Sequence, residues 1–381
     1  MRRRRFLAIV PGMNHDDFQT VFGLYIHWPF CERKCPYCDF ASQAMDTLPH
    51  ERFRAAVLAE WARRRAEVAD RRLCSIYLGG GTPSLMRPED LAVILAEIGK
   101  SHALDGVEIT VEANPSSALP QWLREIRQAG ANRLSLGVQS FSDAVLRFLG
   151  RLHDARQSRR AIEAARAAGF DNLSLDLILA SRPATLAKLD RDLEAALSHR
   201  PEHLSAYLLT IEPETPFGRR AAQGERLTRR EDEARRCYER CRDRLAAAGY
   251  ERYEISNHAR PDRRSHHNGL YWSGAAYLGL GPSAHGYIPP ESDRPAQRRE
   301  NLRDAFAYLA AVEAGRDPRN FLETLEGIDI ARETMLTGLR RIEGVGEREF
   351  AMRCGLGLQE TFSTALKRLA DRGWLEWRGE N

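Results

Sequence analysis

The 381-residue chain has 57 basic and 53 acidic side chains and a formal net charge of +4 at pH 7. At roughly 100–200 residues per domain, this length allows one large domain and a smaller module. Four of the basic residues are lysine, and the arginines are interleaved with acidic residues in stretches such as RREDEARRCYERCRDRL, so no basic face is apparent and we expect no nucleic-acid partner.

Residues 1–23 form an N-terminal extension ahead of the first predicted strand. Their MRRRRFLAIVPG sequence resembles a targeting segment, but its apolar run ends at Pro11 and is shorter than the ~7–15 residues of a secretory signal. No later segment approaches the ~20 apolar residues of a transmembrane helix. We therefore predict a cytoplasmic protein, in which seven cysteines favour metal binding or catalysis over disulfides.

Residues 24–215 repeat one pattern, in which a short apolar run precedes a longer helical stretch. Strands that alternate with helices predict right-handed crossovers and a parallel sheet. Six such units predict an α/β fold that forms a partial (β/α)6 barrel, with ligands at the carboxyl ends of the strands. The strand-like runs are LYIHWP, SIYLGGG, VEITVEANP, NRLSLGVQS, NLSLDLIL and HLSAYLLT.

The rest of the chain departs from this pattern. Residues 216–300 are predicted to contain an arginine-rich helix from about Thr228 to Ala248 and then an ordered loop, because ISNHARPDRRSHHNGLYWSGAAYLGLGPSAHGYIPP is rich in Gly, His and aromatic residues. Residues 301–381 are predicted to form a mainly helical C-terminal domain. Its last segment, LQETFSTALKRLADRGWLEWRG, predicts a helix and a short strand, as in a winged helix.

Three cysteines, Cys31, Cys35 and Cys38, form a C-x3-C-x2-C run directly after the first predicted strand. A structural zinc site has four ligands at recognisable spacing, and Cys237 and Cys241 lie far along the chain on a predicted helix. Three thiolates on a cluster of four irons leave one iron without a protein ligand, free to bind a substrate or cofactor. Cluster ligation is our main interpretation, with zinc binding or packing of the thiols as alternatives.

Polar residues and glycines follow the other predicted strands. The second strand ends in YLGGGTPS, where successive glycines let backbone approach a ligand closely, although a plain turn would use the same residues. Polar side chains near the later strand ends are typical of caps or ion pairs when taken one at a time, but together they suit a zwitterionic cofactor that carries a ribose. They are Glu112, Gln139, Arg151 and Asp176.

Several motifs resemble those of the radical S-adenosylmethionine haem chaperones, the HemW-like relatives of oxygen-independent coproporphyrinogen III oxidase. They are YIHWPFCERKCPYCDF, GGGTPS, EITVEANP, LSLGVQSF, LGRLHD, LTIEPETPF, HNGLYW and GLGPSAHGY, between Leu24 and about Tyr287. The resemblance implies a [4Fe-4S] cluster on Cys31, Cys35 and Cys38, with S-adenosylmethionine on the fourth iron. The residues that it assigns to S-adenosylmethionine are Tyr25, Tyr37, Gly80, Gly81, Thr82, Glu112, Gln139, Arg151, Asp176 and Thr210.

The resemblance also implies a haem site. In the haem chaperones H-N-x-x-Y-W is the haem-associated motif, which corresponds here to His267, Asn268, Tyr271 and Trp272. A neutral imidazole is a common haem ligand, and aromatic rings offer their faces to a flat macrocycle. The alternatives are that His266 or His285 binds the iron, or that these side chains only pack in the fold.

Two departures separate the chain from the oxidase. The oxidase pattern has a further cysteine two places after the third, where this chain has Phe40, and a longer N-terminal segment. We therefore expect haem binding and transfer to haem-requiring acceptor proteins, with the porphyrin-forming oxidase and an RNA-modifying radical enzyme as alternatives. Reductive cleavage of S-adenosylmethionine, a homodimer and a peripheral membrane contact are left open.

One departure concerns the haem chaperones themselves. Family members have a Gly-x-Pro turn after the fifth strand, whereas DLILASRPATL places Ala180, Ser181 and Arg182 there and shifts the proline to Pro183. We therefore expect the loop beside Asp176 to differ from that of the family.

Overall fold

The computed structural model describes residues 20–291 and 294–378, which contain a 12-stranded sheet and a 2-stranded one. The strands are β1 (Val21–Trp28), β2 (Phe30–Cys31), β3 (Gln43–Ala44), β4 (Arg72–Gly80), β5 (Glu108–Ala113), β6 (Arg133–Gln139), β7 (Leu173–Leu179), β8 (His203–Leu208), β9 (Glu251–Arg252), β10 (Asn257–Ala259), β11 (Ala276–Leu280), β12 (His285–Ile288), β13 (Ala296–Asn301) and β14 (Arg319–Leu325). The α-helices are α1 (His50–Arg64), α2 (Pro88–Gly99), α3 (Pro120–Ala129), α4 (Asp143–Phe148), α5 (Ala155–Ala167), α6 (Leu186–Ser198), α7 (Pro216–Ala222), α8 (Glu231–Ala247), α9 (His266–Ser273), α10 (Ala305–Glu313), α11 (Ile328–Gly338), α12 (Glu347–Cys354) and α13 (Leu358–Asp371).

The six strand-like runs of the sequence are all strands of the large sheet. In chain order they are β1, β4, β5, β6, β7 and β8, and they pair in parallel in that same order with helices between them. The predicted α/β fold with six βα units is therefore confirmed. Within the described residues the sheet stays open, with β14 at one edge and β9 at the other.

The parallel strands have an apolar face and a polar face. In β1, Leu24 and Ile26 are fully buried in the core that the sheet shares with the flanking helices. Tyr25 and His27 point to the opposite face, because successive side chains of a strand alternate. We call this opposite face of the parallel strands the inner face. Strands buried in a parallel sheet are normally apolar on both faces, so a polar inner face indicates a site.

The segment predicted as an ordered loop is largely regular structure, so that prediction is wrong. It contains β10, α9, β11 and β12, and β11 pairs in parallel with β1. A seventh parallel strand is thereby added beside the first. Ala276, Leu278 and Leu280 are fully buried, a period-two pattern that the neighbouring Gly and His residues obscured.

The C-terminal region is mainly helical, as predicted, and has two differences from the prediction. Residues 319–325 form β14, which pairs with β13. No apolar alternation predicts this strand, because Leu325 is its one buried residue. The short strand predicted after the last helix is absent from the described residues, since 372–378 form turns and irregular structure after α13. No helix of the described part of the chain combines the length and apolarity that crossing a membrane requires.

Glu60 on α1 fixes the loop that follows β11. Its side chain is 1% exposed and accepts hydrogen bonds from the Gly281 N–H (3.0 Å), from Asn301 Nδ2 (2.7 Å) and from the Tyr308 hydroxyl (2.7 Å). A buried carboxylate requires such donors, since it has left water. This anchor holds the loop between β11 and β12 at the same edge of the sheet as the cysteines.

Candidate cofactor site

The three cysteines lie in residues 31–42 at the carboxyl end of β1, a segment that begins with the last residue of β2 and that we call the cysteine loop. Cys31 is buried, Cys35 and Cys38 are partly exposed, and the Cys38 N–H donates to the Cys35 carbonyl (3.1 Å). Burial raises the pKa of the Cys38 thiol to about 11, so a thiolate here needs a metal to deprotonate it. In the described ranges no three His, Cys, Asp or Glu side chains converge on one ion. A four-iron cluster does not require such convergence, because each thiolate binds a different iron.

The glycine-rich turn after β4 lies against this loop. The Gly81 N–H donates to the Trp28 carbonyl (2.7 Å), and the Thr82 N–H donates to the Phe30 carbonyl (2.9 Å). A Cβ on Gly81 would lie 2.6 Å from the Phe30 oxygen and 3.0 Å from Cys31 Sγ. Glycine is therefore required where the turn passes the first cysteine.

Arg151 connects the cysteine loop to the ends of β5 and β6. Its Nη1 donates to Cys35 Sγ (3.4 Å) and to the Tyr37 hydroxyl (3.5 Å). Its Nη2 donates to the Gly137 carbonyl (3.2 Å) and to Asn114 Oδ1. The predicted cofactor residues Tyr37 and Arg151 are thus brought together, and the guanidinium supplies a cation beside the Cys35 thiol.

Two predicted carboxylates lie on the inner face. Glu112 accepts hydrogen bonds from the Tyr77 hydroxyl (2.7 Å) and from the Gly80 N–H (3.2 Å), and burial raises its pKa to about 7. Asp176 accepts from Ser135 Oγ (3.2 Å), and burial raises its pKa as well. Both groups would be stabilised by a cation or by additional hydroxyl donors, which an amino group and a ribose can provide.

Gln139 and Thr210 stand at the ends of two further parallel strands. Gln139 is buried in a left-handed conformation, with φ of 64°, and its Oε1 accepts a hydrogen bond from the Tyr207 hydroxyl (3.3 Å). A non-glycine residue in this conformation is strained, and such strain is concentrated at functional sites. Thr210 is exposed just beyond β8, and its neighbours Leu209 and Ile211 belong to the apolar cluster that also contains Tyr37.

A cavity of about 420 Å³ opens beside the cysteine loop. Its walls come from that loop, from the inner face and from the segment after β11, all at the carboxyl edge of the parallel strands. The aromatic lining residues are Tyr25, Phe40, Tyr271 and Tyr277. The polar and small lining residues are His27, Asp39, Ala41, Gly80, Glu112, Ser283, His285, Glu300 and Arg303.

The four residues of the predicted haem motif lie on α9 and are not all directed to the cavity. His267 is 1% exposed, with Nδ1 2.8 Å from Ser75 Oγ and Nε2 2.8 Å from the Tyr271 hydroxyl. Burial lowers its pKa to about 4, so it is neutral at pH 7. Tyr271 lines the cavity, whereas the Trp272 ring packs under Arg340 with 4.4 Å between the guanidinium carbon and the ring centre. Asn268 is partly buried on the same helix.

The two rival histidines occupy different places. The His266 N–H donates to Glu108 Oε2 (3.1 Å) at the start of α9, and within the described chain its Nδ1 is buried without a partner. His285 lines the cavity and has a side chain 52% exposed.

Sequence reasoning did not single out Ser75, Tyr77, Glu108 or Ser135. Each lies on the inner face and contacts a predicted site residue. A polar residue at every second position of a central parallel strand is the signal that could have identified them.

Comparisons with known proteins agree with this arrangement. A profile of the radical SAM superfamily matches residues 25–196, and one of the HemN C-terminal domain matches residues 325–381. The heme chaperone HemW of Bacillus subtilis (strain 168) is 34% identical over 351 residues, which cover 92% of this chain and 91% of that protein. The heme chaperone HemW of Mycobacterium tuberculosis (strain ATCC 25618 / H37Rv) is 38% identical over 340 residues, 88% of this chain and 85% of that protein.

A solved structure confirms the fold. Coproporphyrinogen III oxidase (HemN) from Escherichia coli, a radical SAM enzyme, aligns with a TM-score of 0.77 at 20% identity. The alignment covers 93% of this chain and 84% of that chain. At 20% identity this similarity is evidence for a shared fold and not for a shared reaction.

Membership of the radical SAM superfamily implies a [4Fe-4S] cluster and S-adenosylmethionine. The described residues fit both groups, since three free thiols share one loop, a glycine turn packs against the first of them, and Arg151 contacts the second. Together with identities of 34% and 38% over most of the chain, these features show that the protein belongs to the HemW haem chaperone family of the radical SAM superfamily.

Proposed function

We propose that this chain binds haem and transfers it to a haem-requiring acceptor protein in the cytoplasm. The relatives with similarity over most of the chain are named heme chaperones, which supports the proposal. The single observation that carries it is the cavity of about 420 Å³ that adjoins the cysteine loop.

The residues of this cavity other than Tyr25, Gly80 and Glu112, which are proposed for S-adenosylmethionine, suit haem. Tyr271 and Tyr277 form an edge-to-face pair with ring centres 4.6 Å apart, which offers apolar surface to a flat macrocycle. Arg303 is an exposed cation that can pair with a propionate. Phe40 lines the cavity and is 57% exposed, so the cavity is accessible from solvent at this residue. A carrier needs such access because it must release its ligand as well as bind it.

Cys31, Cys35 and Cys38 are proposed to hold the [4Fe-4S] cluster. The cluster supplies an open iron that can bind the amino and carboxylate groups of S-adenosylmethionine. Glu112 and the Gly80–Thr82 turn then offer acceptors for the amino group, Arg151 offers a cation for the carboxylate, and Asp176 offers an acceptor for ribose hydroxyls. Further contacts are proposed for Tyr25, Tyr37, Gln139 and Thr210.

The haem-associated motif is proposed to form the helix behind the cavity. His267 holds the Tyr271 hydroxyl at 2.8 Å and so orients a ring that lines the cavity. Trp272, under Arg340, fixes the same helix against the C-terminal region, and Asn268 completes the motif.

Haem titration and transfer test the proposal. Anaerobically reconstituted protein is titrated with haem while the Soret band is followed, and the loaded protein is then mixed with apomyoglobin. We expect saturable binding of about one haem per chain and transfer within the experiment. Absence of saturable binding would contradict the proposal.

The same preparation distinguishes the oxidase alternative. Coproporphyrinogen III is added under anaerobic reducing conditions with S-adenosylmethionine, and porphyrin products are measured. We expect none, because Phe40 occupies the place of the additional oxidase cysteine. Protoporphyrinogen formation would replace the chaperone proposal.

A further inference from the structure

We infer that His285, and not His267 of the haem-associated motif, supplies the imidazole that binds haem iron, and that Arg303 pairs with a haem propionate. The inference rests on the proposed haem binding and names the iron ligand of that site.

The histidines that line the cavity differ in what their ring nitrogens contact. His27 has Nδ1 2.8 Å from the Tyr25 hydroxyl and Nε2 2.9 Å from the Ala41 carbonyl, so both of its nitrogens are occupied. Across residues 20–291 and 294–378, neither ring nitrogen of His285 makes a hydrogen bond, and its side chain is 52% exposed. His285 therefore presents an imidazole to a cavity ligand without breaking any bond.

His267 is placed for a different task. Its two nitrogens bond Ser75 and Tyr271, and its ring centre lies 5.1 Å from that of Tyr77 and 6.3 Å from that of Tyr25. An iron ligand at this position would break one of the two bonds and displace a tyrosine from the inner face. His267 is thus a positioning residue that holds Tyr271 at the cavity wall.

The surroundings of His285 suit metal ligation. Iron is bound by the neutral form of imidazole, through a ring nitrogen that carries no proton. Glu300 Oε1 lies 3.6 Å from Nε2, where a small rotation would let it accept the proton of one nitrogen and leave the other for iron. Such a carboxylate partner orients a ligating imidazole and increases its basicity.

Arg303 adds a partner for the charged side of haem. Its Nη2 donates to the Asp39 carbonyl (3.1 Å), in the cysteine loop, and the exposed side chain lines the cavity. A guanidinium fork matches the two oxygens of a carboxylate. Haem bound between His285 and Arg303 would lie along the edge of the sheet that carries the cluster.

The test compares haem complexes of four variants, all with reconstituted cluster. They are His285→Ala, His267→Gln, Arg303→Glu and the control His199→Ala, at a residue that follows α6 and does not line the cavity. Binding is measured by titration, and axial ligation is measured from the visible spectrum and the electron paramagnetic resonance of ferric haem. Free imidazole is then added to each complex.

We expect His285→Ala to lose the histidine-ligated spectrum and to bind haem about tenfold more weakly or worse, and added imidazole to restore the spectrum. His267→Gln keeps donors and acceptors toward Ser75 and Tyr271, and we expect it to retain the wild-type spectrum. Arg303→Glu should weaken binding without changing the ligation, and His199→Ala should match wild type.

A wild-type spectrum in His285→Ala together with loss of ligation in His267→Gln would overturn the inference while leaving haem binding intact. Haem binding that fails already in the wild type would instead overturn the proposed function, and the inference with it. Restoration by imidazole separates a lost ligand from a misfolded variant.

Discussion

The guanidinium of Arg151 lies 3.4 Å from the sulfur of Cys35, 116 positions earlier in the chain. The cation therefore reaches the cysteine loop directly, in addition to the cofactor carboxylate that the sequence suggested as its partner. With a cluster on these cysteines, as proposed, a single side chain at this position would couple the charge of the thiolates to the binding of an anionic group.

Replacing Arg151 by Met tests this coupling. A hydrogen bond to a charged group contributes about 1.5–3 kcal/mol, so we expect the Kd for S-adenosylmethionine to rise about 10- to 100-fold. Iron content should stay at the wild-type level, because all three thiols remain. Equilibrium dialysis and iron determination measure the two quantities. Arg151→Lys keeps the positive charge but lacks the forked guanidinium, so its Kd for S-adenosylmethionine should lie between those of wild type and Arg151→Met. An unchanged Kd in Arg151→Met would contradict the assignment.

Gly81→Ala should impair cluster assembly. Its Cβ would lie 2.6 Å from the Phe30 oxygen and 3.0 Å from Cys31 Sγ, so the first cysteine or the turn must shift. We expect iron and sulfide content per chain to fall by about half or more after reconstitution, while the far-ultraviolet circular dichroism stays native. Gly99→Ala is the matched control, because its Cβ would meet Leu104 at an ordinary 3.6 Å. Equal iron content in both variants would count against a tight fit between turn and cysteine.

Ala180→Gly should stabilise the protein. Ala180 has φ of 56°, in the left-handed region that costs a non-glycine residue about 1–2 kcal/mol, and its carbonyl accepts from the Arg229 N–H (2.8 Å). We expect a gain of about 1 kcal/mol in the free energy of unfolding, measured with guanidinium chloride. Ala59→Gly, at an exposed position within α1, should instead lose about 1 kcal/mol. A destabilised Ala180→Gly would show that the loop after β7 is not strained.

Glu112 should make the cluster-free protein less stable as the pH rises. Its folded pKa of about 7 exceeds the ordinary glutamate pKa of 4.5, so the folded state binds the proton more tightly than the unfolded chain does. The stabilisation is present in full below pH 4.5 and is lost as the pH rises toward 7. At ~1.4 kcal/mol per pKa unit, this amounts to about 3 kcal/mol.

Urea unfolding at about pH 5 and about pH 8 measures the effect as a difference between variants. Glu112→Gln should be more stable than wild type at the higher pH by about 2–3 kcal/mol, and the difference should shrink at the lower pH. Glu163→Gln, an exposed change on α5, should show no such pH dependence. Parallel curves for wild type and Glu112→Gln would contradict the raised pKa.

The sequence predicted the six central strands because their residues form short apolar runs bounded by turns and helices. It also predicted the edge at which Cys31 and Gly81 would meet, since the carboxyl ends of parallel strands share one edge. The sequence did not predict the side-chain contacts on the inner face. The bond between Ser75 and His267 joins residues 192 positions apart, and no local pattern specifies such a pairing.

The placement of β11 shows a second limit. Its AYLGL run is short and lies among glycines and histidines, so its composition predicted a loop. In the structure this run pairs with the side of β1 that does not pair with β4. Similarly, His267 and His285 were both candidates for iron, and only their contacts distinguish them. Burial and hydrogen bonding at a given histidine follow from the whole fold rather than from the neighbouring letters.

Because β11 covers one side of β1, the strand that leads into the cysteine loop is paired along both flanks. A chain cut before Ala276 would leave Val21–Trp28 as an edge strand, in which the backbone N–H and C=O groups that bond β11 are free. Such an edge recruits strands from other copies of the chain. The radical SAM segment of this protein is therefore not a separable unit, and expressed alone it should aggregate.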